Sequence, residues 1–168
     1  TTVKELAKVS ASRNIPFLHI STDYVFKGDG NLNWKTSDQT NPQNSYGKSK
    51  LIGESGILEA GGPHVILRTS WVFSSHGNNF VKTIYRLGKE KNSLNVISDQ
   101  IGSPTYARDL AKICLEILSS TGRIDEKGKV YHYSNEGAAS WYDFAVSIME
   151  LAGSNCEIKA IQTKDYPT

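Results

Sequence analysis

Tyr46 and Lys50 stand four residues apart in the segment Tyr46-Gly47-Lys48-Ser49-Lys50, which follows a polar loop containing Pro42 and reads as the opening of a helix. At that spacing both side chains project from one helix face. Upstream, His19-Ile20-Ser21-Thr22-Asp23-Tyr24-Val25-Phe26 is an apolar strand running into a hydroxyl-rich turn. A phenol, an ammonium and a Ser or Thr hydroxyl brought together can manage a proton at a carbonyl. The phenol protonates the developing alkoxide and the ammonium lowers the phenol pKa. That chemistry suits reversible hydride transfer. Tyr-x-x-x-Lys alone is a weak pattern that solvated helices often supply, so its weight depends on its surroundings.

Those surroundings read as alternating helices and strands. Val3 to Ser12 carries apolar residues at Val3, Leu6, Ala7 and Val9, a short amphipathic helix ending near Asn14. Ile15 to Ile20 reads as a buried strand, and Lys27 to Gln43 as a loop. The helix bearing Tyr46 and Lys50 spans about Ser45 to Ala60, closed by Gly61-Gly62-Pro63. Val65-Ile66-Leu67-Arg68-Thr69 is a second strand, whose continuous aliphatics predict cover on both faces. A helix over Phe80 to Lys89, a strand over Leu94 to Ile97, a helix over Tyr106 to Ser119 and a strand over Val130 to Tyr133 follow. Ser140 caps a last helix through Leu151, which Gly153 ends. This order predicts a parallel, doubly wound α/β sheet.

No glycine-rich phosphate loop of the G-x-G-x-x-G kind follows any of these strands. Gly28-Asp29-Gly30 leads into a polar loop and not into a helix, so it cannot set a pyrophosphate on a helix N-terminus. Either no dinucleotide is used, or the first half of a Rossmann unit lies outside the chain.

The 168 residues suffice for one domain with a core. A formal charge of +2 on scattered basic residues argues against nucleic acid or an anionic membrane as partner. Cys114 and Cys156 form no disulfide framework, and Cys114 reads as an inert thiol on an apolar helix face. No metal-type Cys/His spacing, membrane span or signal peptide is present, which leads to the expectation of a cytoplasmic protein.

Five blocks, HISTDYVFKG (19–28), NSYGKSKLIGE (44–54), ILRTSWVF (66–73), GNNFVKTI (77–84) and VISDQIGSPTYARDLA (96–111), resemble the extended short-chain dehydrogenase/reductase family, most closely its rhamnose-forming branch. The resemblance covers nearly the whole chain. It implies part of a Rossmann-like reductase domain, with substrate-binding elements mainly around 71–105 and 134–168. The implied activity is reduction of dTDP-4-dehydro-L-rhamnose by hydride from NADPH or NADH. Thr22 would be the catalytic hydroxyl, Tyr46 the acid, and Lys50 the residue that holds the nicotinamide ribose and tunes Tyr46; Thr69 and Ser70 would border the cofactor.

The same resemblance implies that Asp23 and Tyr24 face the sugar. Trp71 either borders the sugar ring or is an ordinary core residue at a strand end. Asn78, Asn79 and Phe80 either reach the nucleotide or serve the helix start, and Gln100 to Thr105 forms a turn held by Pro104. The family pattern begins upstream of Thr1 and continues past Asp165-Tyr166-Pro167-Thr168. The expectation is therefore an internal portion of an enzyme, inactive and without NADPH binding when isolated. Magnesium-dependent dimerisation, a property of some relatives, is not readable here. Two rival readings are a non-catalytic regulatory subunit of the same fold, like that of methionine adenosyltransferase, and a nucleotide-sugar epimerase.

Overall fold

The computed structural model describes residues 1–29, 33–120 and 128–166; Gly30, Pro167 and Thr168 lie outside the described residues. In chain order the elements are α1 (Thr2–Ser12), β1 (Phe17–Thr22), α2 (Ser45–Ala60), β2 (His64–Thr69), β3 (Val72–Phe73), α3 (Phe80–Glu90), β4 (Ser93–Ile97), β5 (Ile101–Gly102) and β6 (Thr105–Tyr106). Then come α4 (Ala107–Ser119), β7 (Lys129–His132), β8 (Ala139–Ser140), α5 (Trp141–Ala152) and β9 (Glu157–Ile161). Short 3-10 turns cover Asp23–Val25 and Thr163–Asp165. The chain divides into two compact units, residues 1–70 with 110–133, and 71–109 with 134–168.

The first unit is built on a parallel sheet of order β1-β2-β7. Every residue of β2 is buried, as its aliphatic run predicts. β1 behaves differently. It runs from Phe17 to Thr22 and not from Ile15, and Ile20 is exposed. Among the described residues β1 pairs only with β2, so one of its edges lacks a strand neighbour. Helices α1 and α2 pack on each other and on the sheet, burying Ala7, Ile57 and Ile66 with Val3, Phe17, Ala60 and Val130 around them.

Glycines line the buried face of α2. A Cβ at Gly56 would sit 2.8 Å from the Lys4 Cβ, and one at Gly47 would collide with the Tyr24 carbonyl oxygen. Both positions must lack a side chain for α2 to lie this close to α1 and to the turn after β1.

In the second unit, β4 does not extend the main sheet. It pairs in parallel with β9, from Ser93↔Glu157 to Ile97↔Ile161, a strand that the periodicity of the sequence does not announce. The reason is polarity: Glu157, Lys159 and Ala160 are exposed and only Ile158 and Ile161 turn inward. Against this pair lies a core of Ile84, Leu94, Val96, Ala145, Ile148 and Met149, contributed by α3, β4 and α5. Ser140 caps α5 through a reciprocal capping box with Asp143, and Gly153 ends it in the left-handed conformation.

Filling the space at Gly47 tests the close approach of α2. Gly47→Ala should destabilise the protein by about 1–3 kcal/mol, the usual effect of overpacking against backbone. Urea unfolding at unchanged m-value would measure it.

Candidate active site

Asn44 opens α2: its side chain accepts a 2.7 Å hydrogen bond from the Gly47 N–H, so the helix starts one residue before Tyr46. Tyr46 is 55% exposed, Lys50 is half-buried and Glu54 is buried. The stripe at four-residue spacing thus descends from solvent into the interior. The Lys50 ammonium donates to the carbonyl oxygen of Ile20 at 2.5 Å, tying the middle of α2 to the end of β1. Burial lowers the Lys50 pKa, against a smaller upward pull from Glu54.

Thr22 ends β1 opposite Thr69, the last residue of β2, which places these two and Ser70 at the carboxyl end of the parallel strands. The Thr22 hydroxyl donates to Asp23 Oδ1 at 3.0 Å and accepts from the Tyr24 N–H at 3.2 Å, capping the short turn. Burial pushes the Asp23 carboxyl above its ordinary range, against the hydroxyl of Thr22. Burial also raises the Tyr24 phenol, reinforced by Asp23 and Tyr46. The rings of Tyr24 and Tyr46 meet edge to face at 5.9 Å. The first unit therefore gathers Thr22, Asp23, Tyr24, Tyr46, Lys50, Thr69 and Ser70 around α2 and the strand ends.

Trp71 and Asn79 belong to the second unit. Trp71 has φ +48°, rare for a bulky residue, and stacks on Trp141 with ring centroids 3.5 Å apart. Gly102 lies against the same ring, where a Cβ would collide. Asn79 caps α3: its oxygen accepts from the Lys82 N–H and its amide donates to the Ser74 carbonyl at 2.6 Å. Asn79 thus serves the start of α3. Asn78 is exposed. Gln100 to Thr105 includes β5 and β6 on either side of Ser103-Pro104.

A buried ion pair beneath the site escaped the sequence reading. Arg68 grips Glu54 with two hydrogen bonds, Nε to Oε1 at 3.0 Å and a terminal nitrogen to Oε2 at 2.7 Å. Ser21 Oγ adds a 2.5 Å bond to Oε1. Glu54 is 2% exposed and Arg68 6%. The Arg68 guanidinium also lies 5.0 Å over the ring of Phe26, which stacks on Trp34 and meets His132 edge to face. A signal was present: a lone Arg in an aliphatic strand needs a buried partner, and Glu54 follows Lys50 by four on the same helix face.

The donors fit the nicotinamide end of a dinucleotide. Lys50 donates one described hydrogen bond, to Ile20, and an ammonium has further N–H groups for ribose hydroxyls. No phosphate-cradling glycine loop follows β1, β2 or β7 in this sequence. Among the described residues no cluster of three His, Cys, Asp or Glu side chains could hold a metal, and no helix is long and apolar enough to cross a membrane.

A parallel α/β unit with Tyr46 and Lys50 beside the carboxyl ends of its strands is Rossmann-like in architecture. The chain belongs to the RmlD substrate binding domain family, whose model matches residues 1–168. It is 42% identical to the dTDP-4-dehydrorhamnose reductase of Aggregatibacter actinomycetemcomitans, covering 99% of this chain and 59% of that protein. It is 44% identical to the spore coat polysaccharide biosynthesis protein SpsK of Bacillus subtilis, over 89% and 51%.

Among solved structures, the dTDP-4-dehydrorhamnose reductase of Bacillus anthracis, in complex with NADP, superposes with a TM-score of 0.89 at 36% identity, over 98% of this chain and 57% of that one. A UDP-glucuronic acid 4-epimerase from Bacillus cereus, 22% identical with a TM-score of 0.81, shares the fold. The chain spans a little over half the length of these relatives.

Two measurements check this account. Arg68→Met strands the Glu54 carboxylate and should cost about 3–5 kcal/mol of stability, read by chemical denaturation. His19 should contribute an acid-side slope. Burial, then the Lys50 charge, hold it below the usual imidazole value of about 6.5, against Glu54. Its unfolded state then binds more protons than the folded one between the two pKa values. The contribution is present above about pH 6.5 and is lost as pH falls through the folded value. Burial and Arg68 lower His132 as well. Unfolding midpoints of His19→Gln at acid and neutral pH should differ less than those of the parent.

Proposed function

We propose that the protein is a nicotinamide-dependent reductase that converts dTDP-4-dehydro-L-rhamnose to dTDP-L-rhamnose, a step in cell-surface polysaccharide synthesis. The observation that carries this reading is the placement of Tyr46 and Lys50 on one face of α2 against the strand end that presents Thr22. It is supported by relatives near 40% identity named dTDP-4-dehydrorhamnose reductase and by the NADP complex of the Bacillus anthracis protein. An intact Thr22, Tyr46 and Lys50 favours an enzyme over a regulatory subunit of the same fold.

The hydride is the chemistry a reduced nicotinamide dinucleotide supplies when bound. Tyr46 gives its phenolic proton to O4 as C4 becomes a secondary alcohol carbon, which balances the reduction. Lys50, with Tyr46, Thr69 and Ser70, would hold the nicotinamide and its ribose. Thr22 positions the carbonyl oxygen, and to donate to it the hydroxyl must leave Asp23. Asp23 and Tyr24 would face the sugar, and the segments 71–105 and 134–168 would carry the remaining substrate contacts, Trp71 among them. The reading includes a cytoplasmic homodimer, which sedimentation of the full-length protein would test, and NADPH as the first cofactor to try.

Oxidation of NADPH in the presence of dTDP-4-dehydrorhamnose by the full-length protein is the direct assay. Tyr46→Phe should cut turnover by roughly two to four orders of magnitude, with a much smaller change in KM because the ring remains. Near-parental turnover in that variant would remove Tyr46 from the acid's role.

A further inference from the structure

We propose that Glu54 is a positioning residue of the site, which ties the Lys50 helix to the end of β1 and keeps a negative charge behind the ammonium. The proposal rests on the reductase reading for its kinetic consequence and on geometry for the rest. Glu54 is the third member of the stripe that begins at Tyr46 and Lys50, and at 2% exposure it faces the sheet. Its Oε1 accepts from Ser21, the residue between Ile20, whose carbonyl holds Lys50, and Thr22. Its other bonds go to Arg68, which lies directly opposite Ser21 in the β1–β2 ladder. One carboxylate therefore holds α2, β1 and β2 within one residue of the proposed catalytic hydroxyl.

The groups around Lys50 make the consequence readable. Glu54 and Tyr46 share its helix, His19 faces it from β1, Asp23 and Tyr24 occupy the turn after β1, and Arg68 of β2 is held against Glu54. Glu54 alone among them pulls the ammonium toward its charged form, against burial. Glu54→Gln removes that pull and turns an amide N–H₂ or its oxygen toward donors that expect two carboxylate oxygens. Ordinary structural support would leave the titration of Lys50 in a folded variant unchanged.

The test is the pH dependence of Lys50 acetylation by acetic anhydride, followed by mass spectrometry in the full-length protein and in Glu54→Gln. The labelling midpoint is expected to move to lower pH in the variant; a midpoint at the parental value overturns the proposal. If Glu54→Gln does not fold, Glu54→Asp takes its place. It keeps the charge but withdraws it by one methylene, so a smaller shift in the same direction is expected and an unchanged midpoint again overturns the proposal. In the reductase assay the same variant should lose roughly ten- to a hundredfold in kcat with KM within about twofold. A parent that does not turn over dTDP-4-dehydrorhamnose refutes the reductase reading and leaves the labelling result to decide the role of Glu54.

Discussion

A carboxylate 2% exposed must be met by donors from every side, and the way Glu54 is met organises the first unit. Ser21 and Arg68 are direct partners in the β1–β2 ladder, so their side chains reach the same carboxylate only in that register. A slip of either strand by one residue would turn its side chain to the opposite face of the sheet, away from the other's. The next pair along the ladder is Thr22 with Thr69. The buried pair thus sets the register that brings the hydroxyl-bearing strand ends level with each other. A hydrophobic pair at the same place would pack as well, but it would hold the register less specifically. That is the use of a buried charge that its stability alone does not explain.

The second constraint is distance. Helix α2 reaches Glu54 into the sheet because its buried face carries Gly47, Gly53 and Gly56 in place of larger side chains. Close approach at Gly47 sets the first turn of the helix against the carbonyl of Tyr24, and so Tyr46 lies beside the turn that Thr22 caps. The aromatic contact of Tyr24 with Tyr46 follows from that approach. Local helix chemistry and sheet register therefore meet in a few residues. The Asn44 cap sets where α2 begins, the glycines set how near it comes, and Glu54 sets how it is rotated.

Much of this frame is legible from residue order. The bounds of α2, from Ser45 to Ala60, follow from a polar cap at one end and Gly61-Gly62-Pro63 at the other, and the buried β2 follows from its aliphatics. The two-residue bridges β3, β5, β6 and β8 are too short to carry a period. β9 hides because two of its three outward residues are charged, and among the described residues β1, more exposed than its composition suggests, has a strand on one side only. The Tyr46–Lys50 pair could be read from spacing. Its partner Glu54 was readable only by asking what balances Arg68. The stack of Trp71 on Trp141 joins residues seventy positions apart, which no local pattern reveals.

The electrostatics of the site follow one direction. The acids of the turn after β1, Asp23 and Tyr24, are both shifted by burial toward their neutral forms. The buried anion Glu54 is matched by Arg68. What remains beside the strand ends is the Lys50 ammonium, half-buried and held by a backbone carbonyl with no carboxylate in described hydrogen-bond contact. A cation beside acids disfavoured as anions suits negative charge that develops nearby, even though burial also draws the ammonium toward its neutral form. On the reductase reading that charge is the oxygen formed as the carbonyl is reduced. On that reading Glu54, one turn further down the helix, opposes the effect of burial on the ammonium and lies too deep to meet a substrate itself.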